Sequence, residues 1–293
     1  MTDTPEKPAV AFIGLGIMGG PMAGHVLAAG HALHVYNRTA AKAAALVENG
    51  AVLHDSPGAA AAAADIVITI VGLPSDVEQV YLGAGGIIER AKPGAILIDM
   101  TTSSPSLAIR IHEAAAARGL AALDAPVSGG EAGAKSAKLS IMVGGDADAF
   151  ERARPVLEAM GANIVLQGGP GAGQHTKMAN QTVIAGTMLG VAEGLSYARR
   201  AGLDPHRVLS SIGTGAASGF LLNGLGPKMV DGDFAPGFMI EHFVKDMGIA
   251  LAEAEAAGLD LAGLATALGR YRALAEAGDG RAGTQALIKS YGD

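Results

Sequence analysis

Few hexapeptides leave a chain as little structural choice as Gly14-Leu15-Gly16-Ile17-Met18-Gly19 when an apolar run, Ala9 to Ile13, comes before it and a helix-forming stretch, Pro21 to Ala29, comes after. The order is strand, glycine turn, helix. In such a unit the first glycine permits the tight turn, the second lets backbone approach a pyrophosphate, and the third lets helix and strand pack. The helix N-terminus then faces the anion. A glycine fingerprint alone is a weak signal, and a purely structural turn is the alternative. Here the flanking strand and helix supply the context that a dinucleotide site requires.

The alternation continues. His31 to Tyr36 reads as a strand ending in Asn37-Arg38-Thr39. An acidic residue at that place would hold the ribose 2'-hydroxyl of NAD, whereas this chain offers Asn37 with a guanidinium beside it. Arg38 suits a 2'-phosphate and Thr39 adds a hydroxyl donor, so the pattern points to NADP, with NAD as the alternative cofactor. A surface arginine in a plain loop is the competing reading. His31 and His34 lack a third ligand at metal spacing and read as strand residues.

Ile66 to Val71 is a continuous apolar run of the buried parallel type, followed by Gly72-Leu73-Pro74. Ala95 to Met100 precedes Thr101-Thr102-Ser103, whose hydroxyls fall, with Gly72-Leu73-Pro74, at the carboxyl-end crevice where an open parallel sheet holds its cofactor. Leu120 to Val127, Leu139 to Val143 and Asn163 to Leu166 complete the strands, with connections long enough for helices. This predicts an α/β Rossmann-type doubly wound sheet over residues 1–168. Within it, Asp124-Ala125-Pro126-Val127-Ser128-Gly129-Gly130 ends in a turn whose N–H groups suit a carboxylate, although glycine pairs also make ordinary turns.

A long interdomain helix follows over residues 169–202. Its polar residues sit at the front, with Lys177 followed at i+3 and i+4 by Asn180 and Gln181 on one face. The remainder, from Val183 to Leu195, is apolar enough to predict burial on every side. At ~1.5 Å per residue the helix spans roughly 40 Å. Gly186, Gly190 and Gly194 form a column that admits a close partner helix. From 203 to 293 only helical segments appear, stopped at Gly232, Gly258 and Gly278, which predicts an all-α domain for substrate binding and dimerisation. Phe234 and Phe238 read equally as pocket wall or core.

The 293 residues carry a net charge of -7 with no cluster of lysine and arginine, which argues against nucleic acid or an anionic membrane as partner. No apolar run is long enough to span a bilayer, and the N-terminus, MTDTPEKPAV, has no apolar signal core; the chain reads as cytoplasmic. It contains no cysteine, so thiolate metal sites and cysteine nucleophiles are excluded, and no metal is expected.

Taken together, Gly14 to Ala23, the Asp124 to Gly130 signature, Gly173 with Lys177 and Asn180, and the pair Lys245-Asp246 resemble the β-hydroxyacid dehydrogenases over essentially the whole chain. That family includes 3-hydroxyisobutyrate dehydrogenase, tartronate semialdehyde reductase and the glyoxylate and succinic semialdehyde reductases. The resemblance implies that Lys177 is catalytic, that Ser128, Gly129 and Gly130 hold a substrate carboxylate, and that Asn180 with Gln181 orients the substrate. It implies cofactor contacts at Leu73, Pro74, Thr101 and Lys245. Three positions depart from the family pattern: Gln181 stands for a second asparagine, Ala137-Lys138 for Gly-Thr, and Asn37 for the aspartate of NAD-using members.

Hydride transfer to a carbonyl builds negative charge on oxygen, which asks for an acid within hydrogen-bond reach. Lys177 fills that role, and in the oxidative direction it must accept a proton, which favours a pKa below ~10.4. Burial and a nearby cation such as Lys245 act in that direction. The expectation is an NADP-preferring oxidoreductase of small hydroxy or semialdehyde acids, assembled as a homodimer or homotetramer through its helices. Rival readings are an imine reductase of similar fold, which Lys177 counts against, and a non-catalytic nucleotide-binding module.

Overall fold

Runs of four apolar residues with no polar interruption belong to strands covered on both faces, and that is how the N-terminal half is built. The computed structural model describes residues 7–292. Residues 1–6, part of the N-terminal stretch without a signal core, and residue 293 lie outside the described residues. The chain divides into two compact units, Met1–Lys177 and Met178–Asp293.

The first unit holds one sheet: β1 (Val10–Ile13), β2 (Leu33–Tyr36), β3 (Val52–Leu53), β4 (Ile66–Thr69), β5 (Ile96–Asp99), β6 (Ala121–Asp124), β7 (Val127–Ser128), β8 (Leu139–Gly144) and β9 (Gly161–Gly168). Its order is β3-β2-β1-β4-β5-β6-β8-β7, with β9 on β8. Strands β1 to β6 are parallel, Val10 lying opposite both Leu33 and Ile66. Helices α1 (Gly19–Ala28), α2 (Ala44–Glu48), α3 (Pro57–Ala62), α4 (Pro74–Leu82), α5 (Ile87–Arg90), α6 (Pro105–Ala116), α7 (Gly130–Lys135) and α8 (Ala147–Leu157) connect them. Successive residues of each strand enter different cores: Phe12, Ile68 and Ile98 one, Ala11, Val67 and Leu97 the other. The sheet is therefore doubly wound, and its order reverses between β1 and β4, which places the ligand crevice at their carboxyl ends.

One expectation changes here. Leu120 to Val127 is not one strand; it breaks into β6 and β7 at Pro126, which has no N–H to give the ladder. The sheet is also mixed at its far side, since β8 runs antiparallel to β6 and β7. Only about ten residues separate β7 from β8, fewer than the dozen or more a parallel return needs. The longer connection through α8 does return parallel, as β9 on β8.

Helix α9 (Ala172–Arg200) runs from the first unit into the second. In the second unit it is joined by α10 (Pro205–Ile212), α11 (Phe220–Asp231), α12 (Ile240–Ala256), α13 (Ala262–Leu274) and a final 3-10 segment over Thr284–Tyr291. Their core gathers Met188, Leu195, Phe243, Met247, Leu268 and Tyr271. Phe243 and Tyr271 meet edge to face at 5.1 Å. Phe234 and Phe238 pack against this same core. The prediction that α9 is buried on every side fails: Gly186, Gly190 and Gly194 lie on an exposed face with Val183 and Tyr197, which are 69% and 74% exposed. Among the described residues no helix is long and apolar enough to cross a membrane, and no cluster of three or more His, Asp or Glu side chains could hold a metal ion.

Candidate active site

The fingerprint turn follows β1. Gly14 takes φ +98°, and a Cβ there would collide with the carbonyl oxygen of Ile70, so nothing but glycine fits. Leu15 is buried and anchors the loop, its N–H donating to Asn37 Oδ1 at 2.8 Å. Asn37 Nδ2 donates to the Thr39 carbonyl at 2.8 Å. Asn37 thus braces the fingerprint against the end of β2, using both ends of its amide on the protein. Gly16 differs from Gly14, because a Cβ at Gly16 would meet nothing within 4 Å. Among the described residues no atom requires glycine there. Helix α1 opens after Ile17 and Met18 without a side-chain cap or an acid in its first turn, so its amides are left for an outside anion. Gly19 packs against the Gly14 carbonyl, closing the turn. Beyond β2, Arg38 is 88% exposed with Nη1 3.5 Å from Asp76 Oδ1, and Thr39 is exposed. Free space at Gly16, open amides and an exposed guanidinium fit a dinucleotide carrying phosphate groups.

The end of β4 supplies the next wall. Leu73 is exposed and its N–H donates to Asp76 Oδ2 at 3.0 Å, while Pro74 starts α4. Thr101, which the sequence assigns to the cofactor, turns its side chain into the protein. It is buried, and its hydroxyl accepts the Val71 N–H at 3.0 Å, with its own N–H donating to Asp99 Oδ1 at 3.1 Å. Its hydroxyl is committed to holding the loop, and the half-buried hydroxyl at the end of β5 belongs to Thr102. Asp99 also accepts from Thr69 Oγ1 at 2.8 Å, and because that hydroxyl's proton is thereby used, Tyr81 donates to Thr69 at 2.9 Å. Burial pushes the Asp99 carboxyl up to about 6 against the pull of these donors.

The front of α9 is fastened to the ends of β5, β6 and β7. Asp124, at the end of β6, accepts the N–H of Gly171 and of Gln174, each at 2.8 Å, on its two oxygens. It works as a helix cap delivered from 47 residues away in sequence. Burial raises its carboxyl, and these backbone donors pull it back part of the way. A Cβ on Gly173 would strike the Met142 and Asp124 carbonyl oxygens, so α9 can approach this closely only with glycine. Gln174 has no exposed surface; its Oε1 accepts the Ser103 N–H at 3.0 Å and its Nε2 donates to the Thr101 carbonyl at 2.7 Å. One turn on, Lys177 is 6% exposed and its Nζ donates to the Val127 carbonyl at 2.8 Å. The next residues are Ser128, half-buried at the end of β7, then Gly129 at φ +132° and Gly130 at φ +60°, both exposed and opening α7 without a side-chain cap. The structure therefore brings Lys177 to the turn that the sequence singles out for a carboxylate.

In the second unit, Asn180 Nδ2 donates to Gln181 Oε1 at 2.8 Å, and Gln181 Nε2 donates to Asp246 Oδ2 at 2.6 Å. Lys245 Nζ lies 3.0 Å from Asp246 Oδ1. Sequence reasoning missed the cap at Asp124 and the clamp at Gln174. The second left a readable trace, an amide three residues before Lys177 on the same helical face.

Comparison with known proteins gives the arrangement its family. Residues 9–169 match the NAD binding domain of 6-phosphogluconate dehydrogenase, and residues 171–291 match the NAD-binding domain of NADP-dependent 3-hydroxyisobutyrate dehydrogenase. An uncharacterized oxidoreductase of Bacillus subtilis is 53% identical over 97% of this chain and 98% of its own. The 2-hydroxy-3-oxopropionate reductase of Escherichia coli is 40% identical over 96% of each chain. Among solved structures, 3-hydroxyisobutyrate dehydrogenase of Mycobacterium tuberculosis with L-serine superposes with a TM-score of 0.88 at 32% identity, covering 97% of this chain and 98% of the other. An imine reductase from Pseudomonas sp., at 22% identity and a TM-score of 0.63, shares the fold alone. The chain belongs to the β-hydroxyacid dehydrogenase family, NAD(P)-dependent oxidoreductases acting on CH–OH groups.

Proposed function

We propose that this chain is an NADP-preferring dehydrogenase or reductase of small β-hydroxy acids and semialdehyde acids, with Lys177 as the general acid and base. One observation carries the reading: Lys177, buried at the front of α9, is hydrogen-bonded to the carbonyl immediately before Ser128-Gly129-Gly130. An ammonium beside a turn with open N–H groups suits a substrate that has a carboxylate at one end and a carbonyl near it. Ser128 and the glycine amides hold the carboxylate. Lys177 Nζ stabilises charge developing on the carbonyl oxygen and then protonates it; in the oxidative direction it takes the hydroxyl proton. The bound nicotinamide supplies or accepts the hydride. Asn180 follows Lys177 by one turn of the helix and orients the reacting group.

Residues 1–168 are assigned to dinucleotide binding, with the phosphates over Gly14 to Gly19 and Leu73-Pro74 beside them. Residues 169–202 are the connecting helix, and 203–293 the substrate and assembly domain. Arg38 and Thr39, supported by the Asn37 brace, favour NADP, because an aspartate at 37 would bring negative charge toward a 2'-phosphate. A second copy of this chain is assigned to the exposed apolar and glycine face of α9, giving a homodimer or homotetramer. The deciding experiment is steady-state reduction of glyoxylate, tartronate semialdehyde, succinic semialdehyde and methylmalonate semialdehyde with NADPH and with NADH. Turnover of one or more of these acids with NADPH preferred, abolished in Lys177→Ala, is the expected result. Turnover of a cyclic imine in place of every acid would replace this reading with an imine reductase. NADPH binding without any carbonyl turnover would leave a nucleotide-binding module.

A further inference from the structure

The contact pattern around Gln181 says more than that it neighbours Asn180. Gln181 is 1% exposed and Asp246, on α12, is 2% exposed, so neither is placed to touch a substrate. A carboxylate only accepts hydrogen bonds, so the group of Gln181 that faces Asp246 Oδ2 at 2.6 Å is obliged to be the NH2. The other end of the same amide is then an oxygen, and it accepts Asn180 Nδ2 at 2.8 Å. With its nitrogen drawn inward, the half-buried Asn180 presents Oδ1 on its other side. Turning Gln181 over would set oxygen against carboxylate and NH2 against NH2, losing both bonds together. Lys245 Nζ, 3.0 Å from Asp246 Oδ1, balances the charge from which the chain of amides starts.

We infer that Asp246 and Gln181 are positioning residues that fix the polarity of Asn180, making it an acceptor toward the reacting group. Oδ1 so presented accepts a hydroxyl or an ammonium proton, while one of the two Nδ2 hydrogens is spent on Gln181. The inference rests on the substrate-orienting role proposed for Asn180, and it reaches two residues that touch neither substrate nor cofactor.

The test exchanges the acid and the amide. Asp246→Asn lets the amide chain turn over, and Gln181→Glu sets two carboxylates together. The double variant Asp246→Asn/Gln181→Glu rebuilds the pattern with the two groups exchanged: the amide introduced on α12 donates to the carboxylate introduced on α9, which still accepts from Asn180 Nδ2. The pair then keeps its net charge and the outward-facing Oδ1. Each single variant is expected to lower kcat by about 10-fold or more while KM for NADPH stays within about twofold, and the double variant to recover to within about threefold of wild type. A double variant no better than the worse single, or an Asp246→Asn enzyme with wild-type kcat, overturns the relay. Thermal unfolding of the same four proteins without ligand separates this failure from failure of the activity itself. If wild type turns over no carbonyl, a melting temperature lowered in both singles and restored in the double still supports the relay, and additive losses refute it.

Discussion

Gly16→Ala should leave the unliganded fold intact and spoil dinucleotide binding, while Gly14→Ala should damage the fold itself. A Cβ on Gly16 meets no atom within 4 Å, and Gly16 is not among the glycines with positive φ. Alanine there adds no clash and restricts the unfolded chain, so stability should change by between zero and a gain of about 1 kcal/mol. Gly14 sits at φ +98° with its missing side chain aimed at the Ile70 carbonyl. Alanine there meets a left-handed backbone penalty of about 1–2 kcal/mol and must also displace the chain beyond β4. The methyl at Gly16 instead stands at the glycine of the fingerprint where backbone must approach the pyrophosphate, next to the uncapped amides that start α1. Holding a phosphate away from one such amide forfeits a charge-assisted hydrogen bond of about 1.5–3 kcal/mol, or roughly 10- to 150-fold in Kd. Thermal unfolding of the free proteins and titration of each with NADPH, followed by its fluorescence, read the two effects separately. If Gly16→Ala bound NADPH as wild type does, or melted with Gly14→Ala, the assignment of this loop to the pyrophosphate would be refuted.

Two further outcomes follow from the same geometry. On the proposed pairing of the exposed guanidinium with a 2'-phosphate, Arg38→Ala should raise KM for NADPH by about 10-fold or more and leave KM for NADH unchanged; its surface pair with Asp76 should cost under about 1 kcal/mol of stability, and equal effects on both cofactors would remove Arg38 from phosphate recognition. Asp99→Asn tests the buried carboxyl: because its folded value is raised from 3.8 to about 6, the stability it contributes is present below 3.8 and lost as pH rises through 6. A rise of that size corresponds to about 3 kcal/mol, so the variant should gain on wild type by that amount between about pH 3.5 and about pH 7.5 in urea unfolding, and a difference independent of pH would contradict the assignment.

The sheet was legible because its strands are covered on both faces. Val10 to Ile13, Ile66 to Thr69 and Ile96 to Asp99 need no partner information to be recognised as buried parallel strands. What escaped was decided by length and by single groups. Pro126 breaks β6 from β7 through one missing N–H, and the short connection to β8 reverses the strand. Val52–Leu53 forms β3 with two residues, too few for any alternation to register. The exposed face of α9 misled for a different reason: valine reads as core in composition, and only the packing of the chain shows that Val183 stands outside it.

The candidate site divides along the same line, between which residues occur and which way their polar atoms are turned. Gly14 to Gly19, Ser128 to Gly130 and Lys177 were recognisable as residue types at fixed spacing. The sequence does not say that Asn37 and Thr101 turn their polar groups inward, or that Asp124 and Gln174 hold α9. Buried polar groups are held by partners, so Asp99, Thr101, Asp124 and Gln174 each fix the direction of another group. Asp99 holds Thr101, the Thr101 carbonyl takes Gln174, and Gln174 lies one turn before Lys177. The loop after β5 is therefore tied by hydrogen bonds through Gln174 to the turn of α9 that carries the lysine. A change at Gln174 that spared both nicotinamide and substrate contacts would still move Lys177, and its cost should fall on kcat more than on the affinity for either ligand.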